Sequence, residues 1–343
     1  MVSVSHAAAA AAVVSMSLAF ATSAGAALAP AFVYTGSVGV STDGFGSTSG
    51  VGTISASAPS GSTVIAAYLY TSTYDEVGFS TVAPTTVTLD GDAVTYTQSI
   101  QNPSYSRLTA HRADVTSTVK PVIDGSAGGV YDFAYNENNA GVENGRTGID
   151  GSALVVVYDN PALSDRTVAV LDGFSDIAGD TFDVTFGVPL DPTAPGFNLE
   201  MFLGIGYSCC NQASNITVNG TLISRNSGNF DDGLQQANGS LITMGSFDDA
   251  PSAFLPSYAA DTERYDLAPY VNAGDTLLSV DTLNPSVNDN IFVAVLDLTG
   301  TASVVNPDVP TDPTVPPIPL PASMWLLVSG IAMAAGVARR RAC

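Results

Sequence analysis

VTLDGDAV, residues 87–94, and ITVNGTLI, residues 216–223, decide how this chain is read. In each, an Asp-Gly or Asn-Gly pair stands between β-branched and aliphatic residues. Asp, Asn and Gly tolerate the left-handed backbone of a tight turn, so both segments are expected to be β-hairpins. The stretches C-terminal to them match too: Arg112-Ala113-Asp114-Val115 with Val119 is answered by Arg264-Tyr265-Asp266-Leu267 with Val271. Each Arg-x-Asp segment then runs through a Gly-containing turn to a strand-like stretch, GVYDFAYNE (129–137) or DTLLSVDTLN (275–284). Each copy ends in a hydrophobic strand, within SALVVVYDNP (152–161) or IFVAVLDLTG (291–300).

Outward from these, short Val/Thr/Ile/Tyr runs recur between Gly/Asn/Asp/Ser turns: TVIAAYLYTST (63–73), TTVTLDGDAVTYTQS (85–99), DRTVAVLDG (165–173), FDVTFGV (182–188), NLEMFLGIGYS (198–208) and NITVNGTLIS (215–224). Between Val33 and about Val305 no amphipathic pattern of a dozen residues suggests a helix. The expected fold is all-β, with two related antiparallel β-sandwich (jelly-roll-like) domains at 27–165 and 166–305; the alternative is one large intertwined sandwich.

Composition limits the function. Of 343 residues 45% are hydrophobic and only 12% charged, with 10 Lys+Arg against 32 Asp+Glu and a net charge of −22. A phosphate backbone demands a basic footprint, so nucleic acid is not an expected partner. The glycine-rich GFGSTSGVG (44–52) lacks the lysine of a phosphate loop and is expected to be a turn.

Both ends carry targeting features. Residues 7–21 are continuously apolar, and Ala24 and Ala26 fit a signal peptidase site, so residues 1–26 are expected to be a signal peptide cut after Ala26, although MVSVSH brings no Lys or Arg. At the other end a Pro-rich linker (306–321) leads to an apolar segment (322–338) and a basic tail (339–343). As a helix the apolar segment would be about 25 Å long, a short transmembrane span with Arg339, Arg340 and Arg341 left in the cytoplasm. Ile318-Pro319-Leu320-Pro321-Ala322, the apolar segment and the arginines resemble the VPLPA form of the PEP-CTERM sorting signal of exported Gram-negative proteins, with Ile318 in place of Val. The resemblance implies processing near the Pro-rich motif by an exosortase-like membrane protease, then release or transfer to the cell surface. The remaining body, 27–320, carries 7 basic and 32 acidic side chains, net −25.

Gly151–Phe174 resembles bacterial surface β-sandwich, adhesion-type modules, through Tyr158-Asp159-Asn160-Pro161, Arg166-Thr167-Val168 and Asp172-Gly173-Phe174. That resemblance implies a surface role and no particular ligand.

Sequence motifs for chemistry are sparse. There is no G-x-S-x-G, H-E-x-x-H, Walker loop, DxDxDG loop, C-x-x-C or Cys/His zinc set. His6 falls in the signal segment, leaving His111, beside which the sequence places no nucleophile. Adjacent Cys209 and Cys210 are candidates for a vicinal disulfide or for free thiols, and Cys343 lies in the tail. Weak Ca²⁺ candidates are Asp231, Asp232, Asp248, Asp249 and Asp289, with Asp172, Asp176 and Asp180 as another set; solvated turns are the competing reading. Arg112, Asp114, Arg264 and Asp266 are expected to be structural, each arginine bonding its own Asp or pinning a neighbouring loop. The function expected is that of a non-catalytic exported surface or matrix protein, adhesive or structural, with exopolysaccharide or other matrix components as partners. Its rival is a carbohydrate-binding module stacking sugars on Tyr105, Tyr207 or Tyr258; a glycan-active enzyme comes third.

Overall fold

In the computed structural model the described residues are 27–46, 49–75, 81–138, 147–206, 213–228, 241–287 and 290–307. They form an all-β structure of four antiparallel sheets with α1 (Thr116–Ile123) as the one α-helix among them. No helix among the described residues is long and apolar enough to cross a membrane. The expected signal segment 1–26, the sorting motif 318–322, the span 322–338 and the tail arginines lie outside the described residues, as do Cys209, Cys210 and Cys343.

The first inner sheet has the order β2 (Val38–Phe45), β10 (Thr147–Asp159), β4 (Thr63–Asp75), β8 (Leu108–Asp114), β7 (Tyr96–Gln101). The first outer sheet runs β3 (Val51–Ala58), β9 (Gly129–Asn136), β5 (Thr88–Leu89), β6 (Asp92–Ala93). The second inner sheet runs β11 (Arg166–Asp172), β19 (Asn290–Thr299), β13 (Leu199–Gly206), whose far edge is shared by β16 (Ile242–Met244) and β17 (Arg264–Asp266). The second outer sheet runs β12 (Asp180–Phe186), β18 (Leu277–Leu283), β14 (Ser214–Val218), β15 (Thr221–Ser227). Numbered within its own half, the outer sheet has the same strand order in both halves. The inner sheets agree as well, with β17 and β16 together in the place of β8. Two strands stand outside the correspondence: β1 (Ala29–Gly36) adds to β11 and β20 (Ala302–Val305) to β12.

The agreement extends to single hydrogen bonds. Asp90 and Asn219 take positive φ of 51° and 48°, each followed by a positive-φ glycine, and their backbone N–H groups donate to Ala134 (2.7 Å) and Ser279 (2.9 Å). Val115 N–H donates to Ala67 (2.9 Å) as Leu267 N–H does to Leu199 (2.7 Å). The strands of the first hairpin are short: in 85–99 the ladder beside the turn is two residues on each side, because the chain leaves β6 at once for β7 in the other sheet.

Three cores alternate with the four sheets. One joins the first inner and outer sheets through Ile54, Leu69, Leu89, Phe133, Leu154 and their neighbours. Another joins the second pair through Phe182, Leu203, Ile216, Val280 and Leu296. The third lies between the inner sheets, where Val38, Tyr70, Val155 and Val157 meet Val168, Val170, Phe202, Phe292 and Val295. Central inner strands such as β11 and β19 are therefore covered on both faces, and every residue from Asn290 to Leu298 is buried, while outer strands such as β12 and β18 alternate buried with partly or fully exposed residues.

Helix α1 follows Asp114, whose Oδ1 accepts the Thr116 N–H (2.9 Å). It lasts eight residues and contains Pro121, too short for a helical period to show in the sequence. Its counterpart is the 3₁₀ turn Ala268–Tyr270, entered through the same device, Asp266 Oδ1 accepting the Ala268 N–H (2.9 Å).

Candidate functional site

The repeated Arg-x-Asp motif divides its labour. Each aspartate caps the turn after it, and neither arginine binds the aspartate two residues on, because β-strand geometry carries both side chains to one face but aims the long guanidinium at the next strand or sheet. Arg112 pairs with Asp172 at the end of β11, so this ion pair ties the two inner sheets together, and its guanidinium also lies 5.7 Å from the centre of the Tyr68 ring. Burial pushes Asp172 above the ordinary carboxylate range, and the Arg112 charge opposes this. Arg264 bonds Glu200 on β13 (2.9 Å) and pins a loop through the carbonyls of Phe247 (2.9 Å) and Asp249 (2.8 Å). Arg166, from the adhesion-module resemblance, pairs with Asp297 (2.8 Å), whose burial pushes it up to about 6. Asn160 of the same segment is a corner brace, donating to Ser60 and Ser62 and accepting the Ala162 N–H, all at 3.0 Å.

His111 is fully buried on β8, with Nδ1 2.7 Å from Ser99 Oγ and Nε2 3.0 Å from Thr73 Oγ1. The structure thus puts a serine beside the histidine where the sequence offered none, since β7 and β8 pair only in three dimensions. Where a hydrolytic triad places a carboxylate, the imidazole meets the Thr73 hydroxyl, and burial lowers its pKa to about 4, which weakens it as a base. Close by, a buried chain links the Tyr96 hydroxyl to Thr71 (2.6 Å), Thr71 to Ser152 (2.6 Å) and Ser152 to Tyr135 (2.6 Å), with Glu137 at the end, 3.4 Å from the Tyr135 hydroxyl. Burial raises Glu137 to about 7.

In the second half Asp261 and Glu263 are completely buried. Asp261 accepts from Tyr265 (2.7 Å), from Ser252 (3.2 Å) and from the Ser224 hydroxyl. Glu263 accepts from Thr243 (2.6 Å) and from the Gly228 N–H (2.9 Å). Neither acid had stood out in the sequence, where an acid in a polar loop looks solvated.

The metal candidates scatter. Asp231, Asp232 and Asp289 lie outside the described residues. Asp249 accepts the Ser246 N–H (2.8 Å) and Asp248 raises the pKa of nearby Asp43, a half-buried carboxyl pushed up to about 6 mainly by desolvation. Asp172 serves Arg112, Asp176 caps its own turn at the Ala178 N–H (2.8 Å), and Asp180 accepts from the Leu28 N–H (3.0 Å) and the Asn306 amide (2.8 Å). Among the described residues no three His, Cys, Asp or Glu side chains form a group that could hold a metal ion.

Of the aromatic candidates, Tyr207 lies outside the described residues, Tyr105 packs against the core between the inner sheets, and the Tyr258 hydroxyl is spent on the Gly228 carbonyl (2.7 Å). Among the described residues an exposed aromatic ring, that of Phe254, stands elsewhere, beside half-buried Tyr270. A groove of about 570 Å³ between the β14–β15 turn and the 3₁₀ turn is lined by Asn219, Thr221, Pro269, Tyr270, Asn272, Asp275 and Leu277. Phe254 stands beside it, 57% exposed, its ring centre 6.4 Å from that of Tyr270. The sequence signal for Tyr270 was its place immediately before Val271, the residue that matches Val119. A scan of the chain against models of known protein families finds no match, and a search of curated proteins finds none either.

Proposed function

We propose that this chain is an exported, non-catalytic surface or extracellular-matrix protein with an adhesive or structural role. Its body is read as two related β-sandwiches, 27–165 and 166–305, packed through their inner sheets, with β1 crossing over to add to the second inner sheet. The observation that carries the reading is how the reactive side chains are used. His111, Arg112, Arg166, Arg264, Asp261 and Glu263 are all engaged in buried or half-buried contacts that hold strands and loops in place. Such use suits a durable scaffold. The apolar start, the IPLPA motif with its apolar segment and arginines, and the likeness of Gly151–Phe174 to surface modules support export by signal peptidase and sorting by an exosortase-like protease. The body's net charge of −25 favours repulsion between copies at low salt, relieved by counterions.

The test is surface exposure in the native host. Added protease should digest the body on intact cells or in the shed matrix, and deletion of residues 318–343 should leave it unsorted. A body protected from protease until cells are lysed would overturn the reading.

A further inference from the structure

The two halves can be compared directly, because each has a groove beside its Asp-Gly or Asn-Gly hairpin, and the two grooves share three lining positions. Hydrogen-bond equivalence aligns Asp90 with Asn219 and Ala134 with Ser279, and the Arg-x-Asp segments align Thr118 with Tyr270. The first-half groove, about 420 Å³, is lined by Asp92, Ala93, Val94, Thr95, Asp114, Val115, Ser117 and Thr118. At equivalent places the second half has Thr221 for Asp92, Pro269 for Ser117 and Tyr270 for Thr118, and Leu277 stands where the outer strand of the first half has Asp132, which lies beyond that groove and accepts from Ser55 (2.8 Å). In the first copy Thr118 donates to Asp92 across the groove (2.9 Å), spending its polar groups on each other. In the second, Pro269, Tyr270 and Leu277 stand where the first half has Ser117, Thr118 and Asp132, and a 3₁₀ turn takes the place of helix α1.

Leu277 and Phe254 lie open to water, while Tyr270 is half-buried, its ring packed on the second core along one side. Leu277 is 50% and Phe254 57% exposed, the first lining the groove with Tyr270 and the second standing ring to ring with it, so the three adjoin rather than lie scattered. Between them stand the neutral polar groups of Thr221 and Asn272, with one carboxylate, Asp275, held by the Asn272 N–H (2.7 Å). A second depression of about 430 Å³ lies on the same sheet, lined in part by Asn215, Thr217, Asp281 and Leu283. Leu277, Asp281 and Leu283 share the exposed face of β18, which spans about 20 Å from end to end. Flat apolar faces next to amide and hydroxyl groups suit a sugar ring, which has C–H faces and a hydroxyl rim. Two depressions along one strand suit a polymer better than a single ring. Asp275 and Asp281, on a body of net charge −25, disfavour a polyanion.

We infer that the exposed face of the second outer sheet, from Phe254 and Tyr270 along β18, is a binding site for a neutral polysaccharide, and that the matching first-half groove is not. This deepens the surface reading and rests on it for the place where such a polymer would be met.

The experiment is affinity electrophoresis and calorimetry of the protein purified from its host, with soluble neutral glucan, mannan and xylan as probes and alginate and heparin as polyanionic controls. At least one neutral polymer should bind. Tyr270→Ala and Phe254→Ala should each weaken binding about tenfold or more, the scale of one lost aromatic contact. Leu277→Asp, which installs the first-half residue at an exposed position, should do the same without unfolding the sheet, and Thr118→Ala should change nothing. Failure of the unaltered protein to bind any neutral polymer, preference for the polyanions, or unchanged binding by folded Leu277→Asp and Tyr270→Ala would each overturn the inference. Export is read separately: a protein retained inside the cell that still binds overturns the surface reading alone, and a surface protein that binds no neutral polymer overturns the groove alone.

Discussion

Replacing Glu137 by Gln should make the body more stable at pH 8 and almost unaltered at pH 4.5. The carboxyl is 5% exposed at the end of β9, its backbone N–H held by Gly50 (2.8 Å), and the Tyr135 hydroxyl 3.4 Å away is its one side-chain donor among the described residues. Burial therefore disfavours the anion and moves the group from 4.5 to about 7. That change corresponds to about 3 kcal/mol of preference for the protonated acid in the folded state. The sign comes from proton counting: between these values the native state holds the proton more tightly than the unfolded chain. The stabilising contribution is complete below about pH 4.5 and is lost as pH rises through about 7. Gln cannot ionise, so Glu137→Gln should exceed the unaltered protein by up to about 3 kcal/mol at pH 8 and converge with it on acidification. Urea denaturation at half-unit pH steps in 1 M NaCl provides the test, because a Debye length of about 3 Å removes most surface repulsion while leaving buried groups unscreened. Asp43 and Asp297, both raised to about 6, slope the two curves alike and cancel in the difference. Parallel curves for the two proteins would refute the argument that burial governs this carboxyl.

Arg112→Ala should cost about 2–3 kcal/mol in chemical denaturation, because it leaves Asp172 buried without its cation; adding Asp172→Asn should recover part of the loss. Gly91→Ala and Gly220→Ala should each cost about 1–2 kcal/mol and by similar amounts, since both have positive φ (87° and 75°) and open space around the new methyl, leaving backbone strain as the shared cause; thermal unfolding of the two variants checks the equality. His111 should stay neutral down to about pH 5 in imidazole NMR, its pKa lying near 4, and a midpoint near the ordinary 6.5 would contradict its burial.

Legibility in the sequence differs from feature to feature. The Asp90-Gly91 and Asn219-Gly220 turns are local chemistry and appear where two adjacent residues put them. The distinction between inner and outer strands was also present, as unbroken VVVYD and VAVLD against alternating LLSVDTL, because one kind is covered on both faces and the other on one. Arginine partners were not readable: Asp172 is sixty residues from Arg112, and only the packing of two sheets brings them together. The same holds for Ser99 beside His111, for the burial of Asp261 and Glu263 in polar loop sequence, and for the meeting of Phe254 with Tyr270. Helix α1 stayed hidden because eight residues containing a proline carry neither a helical period nor a good propensity.

The central claim, an exported and sorted body, is tested most directly by intact mass spectrometry of the protein recovered from medium, envelope and membrane fractions of its native host. The account predicts a released or surface-bound species beginning near Ala27 and ending near Pro321. A protein that keeps residues 1–26 and the whole tail in every fraction would contradict it.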